Sequence, residues 1–213
     1  MKKVVLLGAG GHAKCVIDAI RAGREYEPAC ALDPSVVEGG TVLGVKIVGP
    51  DSALPRLARG GLSLAFVALG STGDPKKRAA LWKLAEDLGL DFPNIIHPSA
   101  MVSPNATLGR GIYVGAGAIV NAGAVIEDGC IINSGAIVEH DCRLGLFVHI
   151  APGAVLSAGV KVGDRSHLGT GCCTAHYLTI GADTVIGAGA VVVRDMPARA
   201  VWVGNPAKKI KGR

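Results

Sequence analysis

A repeat of six residues runs through the second half of the chain and constrains the fold more than any other feature. Seventeen positions spaced six apart begin at Ile96 and end at Val192, and all except Thr174 are Val, Ile or Leu. No insertion breaks this spacing, and small residues occur four places after most of these positions. A fixed short period of this kind predicts a β-solenoid, whose stacked coils bury a continuous core.

The run of hexads resembles the left-handed parallel β-helix of the hexapeptide-repeat acyltransferases, in which three hexads form one triangular coil of 18 residues. This resemblance implies between five and six coils here. It is also the only source for the left hand, because crossovers between parallel strands otherwise prefer the right hand. Glycines directly after the aliphatic position, such as Gly115 and Gly163, are expected at corners that need a permissive backbone.

The first 94 residues predict a different unit, in which short apolar strands alternate with helices. Such alternation is typical of a small parallel, Rossmann-like sheet with helices on its faces. We therefore expect an α/β domain at 1–94 and a solenoid domain at 95–213. The predicted segments are strands at 4–7, 29–32 and 64–68, a candidate strand at 46–48, and helices at 11–22, 51–59 and 74–88.

Composition excludes some classes of protein. The mean hydropathy is +0.41, yet the longest uncharged stretches are too short for a membrane-spanning helix and contain Gly or Pro. The first residues lack the apolar length of a signal peptide, so a cytoplasmic protein with six reduced cysteines is expected. A net charge of +5 suits an anionic small molecule at least as well as a nucleic acid, and we expect no nucleic-acid partner.

A glycine-rich turn follows the first predicted strand. The pattern Gly8-x-Gly10-x-x-Ala13 opens the first helix, and a helix N-terminus of this kind is a natural phosphate site. Asp33 ends the second strand, where an acid that binds a ribose or a base would lie. Alone, this pattern favours a dinucleotide oxidoreductase, but fewer than 95 residues hold too few strands for the full six-stranded fold.

Among the histidines of the solenoid, His140 is the candidate base. It takes an outward position between Glu139 and Asp141, and neighbouring carboxylates can fix the tautomer of an imidazole and raise its basicity. A solvated surface histidine is the alternative that the residues alone leave open.

A metal site is not expected. Three of the cysteines take the small inward position on three different faces and cannot converge on one ion; they are Cys130, Cys142 and Cys172. A γ-class carbonic anhydrase would share the solenoid, and the spacing of His140 and His176 is one that it uses. The position where that family has a further histidine is Gly181 here, whereas zinc needs three or four ligands.

The segment 132–142 resembles the active-site stretch of bacterial nucleotide-sugar acetyltransferases. These include enzymes that N-acetylate 4-amino-4,6-dideoxy sugars on the bacillosamine and perosamine pathways, and relatives of the sialic acid O-acetyltransferase type. The resemblance extends over the whole chain, through the opening at 7–12, the junction at 96–100 and the ending at 203–208. An Asn followed seven places later by a His-acid pair is its most specific motif.

The resemblance implies roles for individual residues. His140 matches the general base, Asp141 the acid that orients it, often a Glu in the family, and Asn133 a residue near the reacting amine. Acetyl-CoA would lie along the solenoid between subunits of a homotrimer, and the N-terminal domain would hold the nucleotide. The matching positions are His149, Gly159, Thr170 and Ala188 for acetyl-CoA, and Gly10, Gly11, His12, Asp33 and Gly70 for the nucleotide sugar.

We therefore expect an acetyl-CoA-dependent N-acetyltransferase that acts by direct transfer. The imidazole of His140 would take a proton as the amine attacks the thioester, and His149 or a backbone N–H would stabilise the oxyanion. O-acetylation of a sugar is the main alternative, and a catalytically silent nucleotide-binding scaffold requires a dispensable His140. The residues leave open whether the nucleotide is UDP, dTDP or GDP, and which sugar it carries.

Overall fold

The computed structural model describes residues 1–35, 39–71 and 73–212. Within this part of the chain, the first domain has a three-stranded parallel sheet in the order β2-β1-β5, and a short hairpin formed by β3 and β4. Its elements are β1 (Lys2–Leu7), α1 (Gly11–Gly23), β2 (Tyr26–Leu32), β3 (Thr41–Val42), β4 (Val45–Lys46), a 3-10 turn (Asp51–Ala53), α2 (Leu54–Arg59), β5 (Leu64–Val67) and α3 (Lys76–Asp87).

The predicted elements of this domain agree with the structure except around residue 46. The candidate strand at 46–48 is instead divided: Lys46 belongs to the hairpin strand β4, and Ile47 makes a single parallel bridge to Ala31. The central strand β1 is buried on both faces from Val4 to Leu7, because α1 packs on one side of the sheet and α3 on the other. A strand enclosed in this way reads as a continuous apolar run in sequence.

The solenoid agrees with the hexad period throughout. Each aliphatic hexad position is the second residue of a two-residue strand, and strands 18 residues apart pair in parallel, as Ile119 does with Ile137. The strands are β6 (Ile95–Ile96), β7 (Met101–Val102), β8 (Thr107–Leu108), β9 (Tyr113–Val114), β10 (Ile119–Val120), β11 (Val125–Ile126), β12 (Ile131–Ile132), β13 (Ile137–Val138), β14 (Arg143–Leu144), β15 (His149–Ile150), β16 (Val155–Leu156), β17 (Lys161–Val162), β18 (His167–Leu168), β19 (Cys173–Thr174), β20 (Thr179–Ile180), β21 (Val185–Ile186) and β22 (Val191–Val192).

These strands form three flat faces. The domain face contains β6, β9, β12, β15, β18 and β21, and continues through β23 (Ala200–Val203) and the antiparallel β24 (Lys208–Gly212). The second face runs from β7 to β22 and the third face from β8 to β20, each taking every third strand. We call the corner between the domain and second faces the Asn133 edge (turns 115–117, 133–135, 151–153, 169–171 and 187–189). The corner between the second and third faces is the His140 edge (turns 121–123, 139–141, 157–159 and 175–177).

The repeat requires glycine for two different physical reasons, and the sequence analysis missed one of them. Left-handed backbone occurs three places after the aliphatic residue, as at Gly135 with a φ of +64°, and not directly after it as expected. Gly163, directly after the aliphatic Val162, has no positive φ; a Cβ there would lie 2.5 Å from the backbone nitrogen of Ala182 in the next coil. This second kind of glycine therefore allows coils to stack closely.

The first domain docks on the domain face through a shared core. Outward side chains of that face, Ile95, Tyr113 and Ile131, join the cluster that buries α1. On the other side of the sheet, Trp82 of α3 stacks on Phe92 with 3.7 Å between ring centroids. Burial of aromatic and aliphatic side chains from both domains stabilises one arrangement of the two.

We expect Gly163→Ala to lower the unfolding temperature much more than Gly135→Ala. The first change forces a Cβ into the next coil, which typically costs 1–3 kcal/mol or more (about 2–4 °C per kcal/mol at this size). The second adds only the strain of a left-handed alanine, about 1 kcal/mol, because nothing lies within 4 Å of its Cβ. Thermal unfolding followed by circular dichroism compares them, and the reverse order would contradict the close-stacking explanation.

Candidate active site

A cleft between the two domains collects part of the predicted site. It has a volume of about 420 Å³ and includes the predicted nucleotide-sugar residues Gly11, His12 and Gly70, together with Asn133 and His149 of the solenoid. The cleft forms because the turn after β5 and the start of α1 face the Asn133 edge. Its remaining lining residues are Cys15, Ser71, Ser134 and Pro152.

The glycine-rich turn opens into this cleft. Gly8 is the glycine that the backbone itself requires, since its φ is +113° and a Cβ would lie 3.1 Å from the carbonyl oxygen of Ala68. By contrast, nothing lies within 4 Å of a Cβ at Gly10 or Gly11. Gly10 is the N-cap of α1 and provides no side-chain cap, so no capping side chain occupies this helix end, which is the end that favours an anion.

Asp33 supports the turn rather than lining the cleft. Its Oδ2 accepts the backbone N–H of Ala9 at 2.8 Å, and its Oδ1 accepts the N–H and hydroxyl of Ser35 at 2.9 and 2.5 Å. Burial alone would raise the pKa of this carboxyl, but these hydrogen bonds and Lys77 lower it overall. Both oxygens are engaged within the protein, which the sequence analysis did not anticipate; the serine two places after the aspartate was the available signal.

His12 is a partly buried, neutral member of the cleft. Its ring meets Tyr113 edge to face with 4.9 Å between centroids. Burial, assisted by the charge of Arg78, lowers the pKa of His12 to about 4. Gly70 is close to it, since a Cβ at Gly70 would contact the Cβ of His12 at 3.4 Å.

His149 has a defined tautomer. Its Nδ1 lies 2.8 Å from the carbonyl oxygen of Ser71, which can only accept, so Nδ1 carries the proton. Its Nε2 lies 3.4 Å from the amide nitrogen of Asn133, whose oxygen accepts the N–H of Ser134 at 2.8 Å. Burial first, and then the neighbouring His167, lower the pKa of His149 to about 3. His149 therefore presents a lone pair towards Asn133, and not the N–H that an oxyanion would need.

His140 and Asp141 form a second centre on the His140 edge. The Nδ1 of His140 lies 2.8 Å from Asp141 Oδ2, and both side chains are more than half exposed. The carboxylate of Glu139 instead accepts the amide of Asn121 at 2.9 Å and the backbone N–H of His140 at 3.3 Å. Because Asp141 engages Nδ1, the Nε2 of His140 can act as a proton acceptor at the surface.

Gly123 makes this pair sterically feasible and was missed by the sequence analysis. It lies one coil before Asp141, and a Cβ there would come within 2.5 Å of Asp141 Oδ1. Asp141 itself has a left-handed φ of +62°. The 18-residue spacing of Gly123 and Asp141 was the signal in the sequence.

The predicted acetyl-CoA positions divide between the two edges. Gly159 lies on the His140 edge, where the ring of Tyr177 occupies the space of its missing side chain. Thr170 and Ala188 are exposed on the Asn133 edge, in later coils than His149. Within one chain, the second face separates the two groups, so His140 is not brought to the cleft that contains Asn133.

The described residues include neither a metal-binding cluster nor a membrane-spanning helix. In the ranges 1–35, 39–71 and 73–212, no group of three or more His, Cys, Asp or Glu side chains could hold a metal ion. No helix in the same part of the chain is long and apolar enough to cross a membrane.

Known proteins are similar to this chain in both domains. The family described as the PglD N-terminal domain matches residues 3–83. A curated relative, the UDP-N-acetylbacillosamine N-acetyltransferase of Bacillus subtilis strain 168, is 39% identical over 109 residues, which are 48% of this chain and 46% of that protein. The match thus spans about half the length of this relative.

Solved structures match over the full chain. PerB from Caulobacter crescentus, in complex with CoA and GDP-perosamine, is 47% identical with a TM-score of 0.92, and the match covers 99% of this chain and 98% of that one. The acetyltransferase domain of PglB from Neisseria gonorrhoeae FA1090 is 39% identical with a TM-score of 0.92 and covers 99% and 100%. These likenesses confirm the expected fold, an α/β domain followed by a left-handed parallel β-helix.

The buried state of His149 predicts how stability depends on pH. The unfolded chain binds a proton at this ring below about pH 6.5, whereas the folded protein does so only near pH 3. Stability is therefore lost as pH falls from 6.5 towards 3, by about 1.4 kcal/mol per pH unit for each such histidine. We expect His149→Gln to reduce this slope between pH 6.5 and 5, as measured by thermal unfolding.

The control for this prediction replaces the exposed His176 by Gln, which should leave the slope as in the wild type. Equal slopes for wild type and His149→Gln would show that the ring is not held neutral in the fold.

Proposed function

The chain belongs to the hexapeptide-repeat N-acetyltransferases of nucleotide-linked amino sugars, and from this premise we propose that it transfers acetyl from acetyl-CoA to a nucleotide-linked 4-amino-4,6-dideoxy sugar. One observation carries the proposal: the contact of Asp141 with Nδ1 of His140 leaves Nε2 as the proton acceptor on the edge of the solenoid. PerB, which was solved with CoA and GDP-perosamine and matches over 98% of its chain, supports the choice of substrates. Structures of that relative also exist with one histidine replaced by Asn or Ala.

The chemistry needs one base and no protein nucleophile. The amine nitrogen of the sugar attacks the thioester carbonyl carbon, the new C–N bond forms, and the C–S bond breaks to release CoA. The nitrogen loses its proton to Nε2 of His140, and Asp141 holds the tautomer and stabilises the imidazolium that results; the imidazolium then gives this proton to the departing thiolate of CoA. The oxyanion requires an N–H donor, and the tautomer of His149 assigns this task to the backbone.

The inter-domain cleft would hold the nucleotide sugar. The first N–H groups of α1, at Gly11 and His12, are suited to a diphosphate because the helix dipole is positive there. Gly10 and Gly70 leave the approach open, and Asp33 contributes by holding the turn. We propose that 1–94 is the nucleotide-sugar domain and 95–213 the acetyl-transfer domain, since the first solenoid strand begins at Ile95.

A homotrimer would complete the site. In a closed ring, the Asn133 edge of one subunit can face the His140 edge of the next, which places His140 opposite the cleft. Acetyl-CoA between the two edges would then meet Gly159 on one side and Thr170 and Ala188 on the other.

Outward apolar side chains support this assembly. The second face presents a column that includes Met101, which is 51% exposed, and further members Ile119, Ile137, Val155 and Val191. Small or apolar residues at the corners give further support: Ala116, Ala122 and Leu146 are exposed, whereas Ala158 is buried at 6% exposure.

We also propose a cytoplasmic location and an amine as the acceptor. Acetyl-CoA as co-substrate and six free thiols fit the cytoplasm, where thiols stay reduced. The N-acetyltransferase relatives favour an amine acceptor over a hydroxyl. Incubation with acetyl-CoA and a panel of UDP-, dTDP- and GDP-linked 4-amino-4,6-dideoxy sugars, followed by mass spectrometry, tests the reaction and identifies the nucleotide.

Replacing the base tests the mechanism. We expect His140→Ala to lower kcat by about 10²–10⁴-fold with the fold preserved, because the side chain is more than half exposed. Asp141→Asn should cost less, since the imidazole remains. His176→Ala is a matched control, because this exposed histidine lies on the same edge two coils away and should keep near-full kcat. Near-full kcat in His140→Ala would overturn direct transfer by this base.

Mixing two inactive variants tests the shared site. Gly10→Val should block the cleft without disturbing the fold, because its Cβ meets no atom within 4 Å, and His140→Ala removes the base. If the cleft and the base of one site come from different subunits, mixed trimers should regain roughly a quarter of the wild-type activity. The reason is that about a quarter of randomly formed edge pairs combine an intact cleft with an intact His140. Sedimentation should give a trimer at micromolar concentration; a monomer, or mixtures without recovery, would contradict the assembly.

A further inference from the structure

Arg78 is a buried cation beside the cleft that the mechanism above does not use. It lies in the first turn of α3 and is only 3% exposed. Its Nη2 donates to the carbonyl oxygen of Gly129, and its Nη1 lies 3.4 Å from the carbonyl oxygen of Phe147 and 3.4 Å from the hydroxyl of Ser71. The guanidinium is also 5.9 Å from the ring centroid of Phe147. The side chain therefore connects the turn after β5 with two stacked coils.

Among the residues that the structure describes, Arg78 forms no ion pair with a carboxylate; its guanidinium donates to two carbonyl oxygens and a hydroxyl instead, and its Nε has no hydrogen-bond partner. Burial of a charge without an ionic partner opposes folding, and the N-terminal turn of a helix disfavours a cation further. A role limited to packing would be served better by an apolar side chain.

The cleft itself presents no charged side chain to a ligand. The two histidines on its wall are neutral, since burial lowers the pKa of His12 to about 4 and that of His149 to about 3, and Arg78 contributes to both shifts. The positive potential of the guanidinium thus reaches the cleft. The other described lining residues carry neutral side chains, yet the proposed ligand carries a diphosphate.

We infer that Arg78 is a positioning residue that supplies the positive charge for the diphosphate of the ligand, acting through the hydroxyl of Ser71. The hydroxyl oxygen accepts from Nη1 of Arg78, so its O–H is free to donate into the cleft. This inference rests on the proposed function, because it takes a nucleoside diphosphate as the ligand. Arg78 at the same time holds the 70–71 turn, whose Ser71 carbonyl fixes His149.

The test compares ligands of different charge by calorimetry. For Arg78→Gln, which keeps hydrogen-bond donors but removes the charge, we expect the affinity for GDP or UDP to fall about tenfold. The affinity for guanosine or uridine should change less than twofold, and Arg78→Lys should recover most of the diphosphate affinity. An equal loss for nucleoside and diphosphate, or no loss, would overturn the inference.

Arg110→Gln is the matched control. Arg110 also bridges the two domains, through Glu86 of α3 at 3.2 Å and Asp128 of the solenoid at 3.3 Å, but it is exposed and does not line the cleft. Its loss should leave the preference for diphosphate unchanged. If Arg110→Gln reduced the preference for diphosphate over nucleoside as much as Arg78→Gln does, the effect would come from the contact between the two domains in general. That result would overturn the inference.

Ser71→Ala decides the case if Arg78→Gln does not fold. This variant keeps the buried charge and removes the hydroxyl, so the diphosphate affinity should fall several-fold while nucleoside affinity holds; an unchanged diphosphate affinity overturns the inference. If the wild-type protein acetylates an amino sugar but these variants keep full diphosphate affinity, the inference about Arg78 is wrong and the proposed function stands. A wild type that binds neither GDP nor UDP would remove the proposed function with it.

Discussion

The hydrogen bonds between coils stacked at an interval of 18 residues are the constraint on which the rest of the structure depends. The N–H of Ile119 donates to Ala136 in the next coil, and that of Ile137 to Ala154 in the one after it. This ladder fixes which residues lie above one another, so the neighbours of an outward residue are those 18 positions before and after it in the sequence. Asp141 therefore stacks on Gly123, whose lack of a side chain leaves room for the contact between Asp141 and His140.

The same stacking creates the surface on which the first domain docks. The outward column of the domain face begins with Ile95, Tyr113 and Ile131, which share a core with α1, and continues with His149 and His167. The apolar part of the column anchors the domain, and the polar part begins where the cleft opens. The position of the cleft thus follows from the point at which this column changes from apolar to polar.

The sequence predicts those features that repeat or that lie close together in the chain. The hexads locate each solenoid strand from Ile95 to Val192, and the adjacency of His140 and Asp141 gives their contact. Contacts between distant segments have no such signal: His149 meets Ser71 across 78 positions, and Arg78 meets Gly129 across 51. For this reason the turn at 70–71 was predicted only through Gly70, and the role of Asp33 in supporting the glycine-rich turn was not predicted.

The two histidines of the proposed site differ in chemistry because they differ in burial and in the groups that surround them. His140 and His149 lie nine residues apart on one solenoid, but one is exposed beside a carboxylate and the other is enclosed between Ser71 and His167. A buried imidazole with a lowered pKa is too weak a base to take a proton from an amine at neutral pH, whereas its fixed lone pair can orient the amide of Asn133. Although His149 lines the cleft proposed for the nucleotide sugar, under the proposed mechanism it cannot replace His140 as the base.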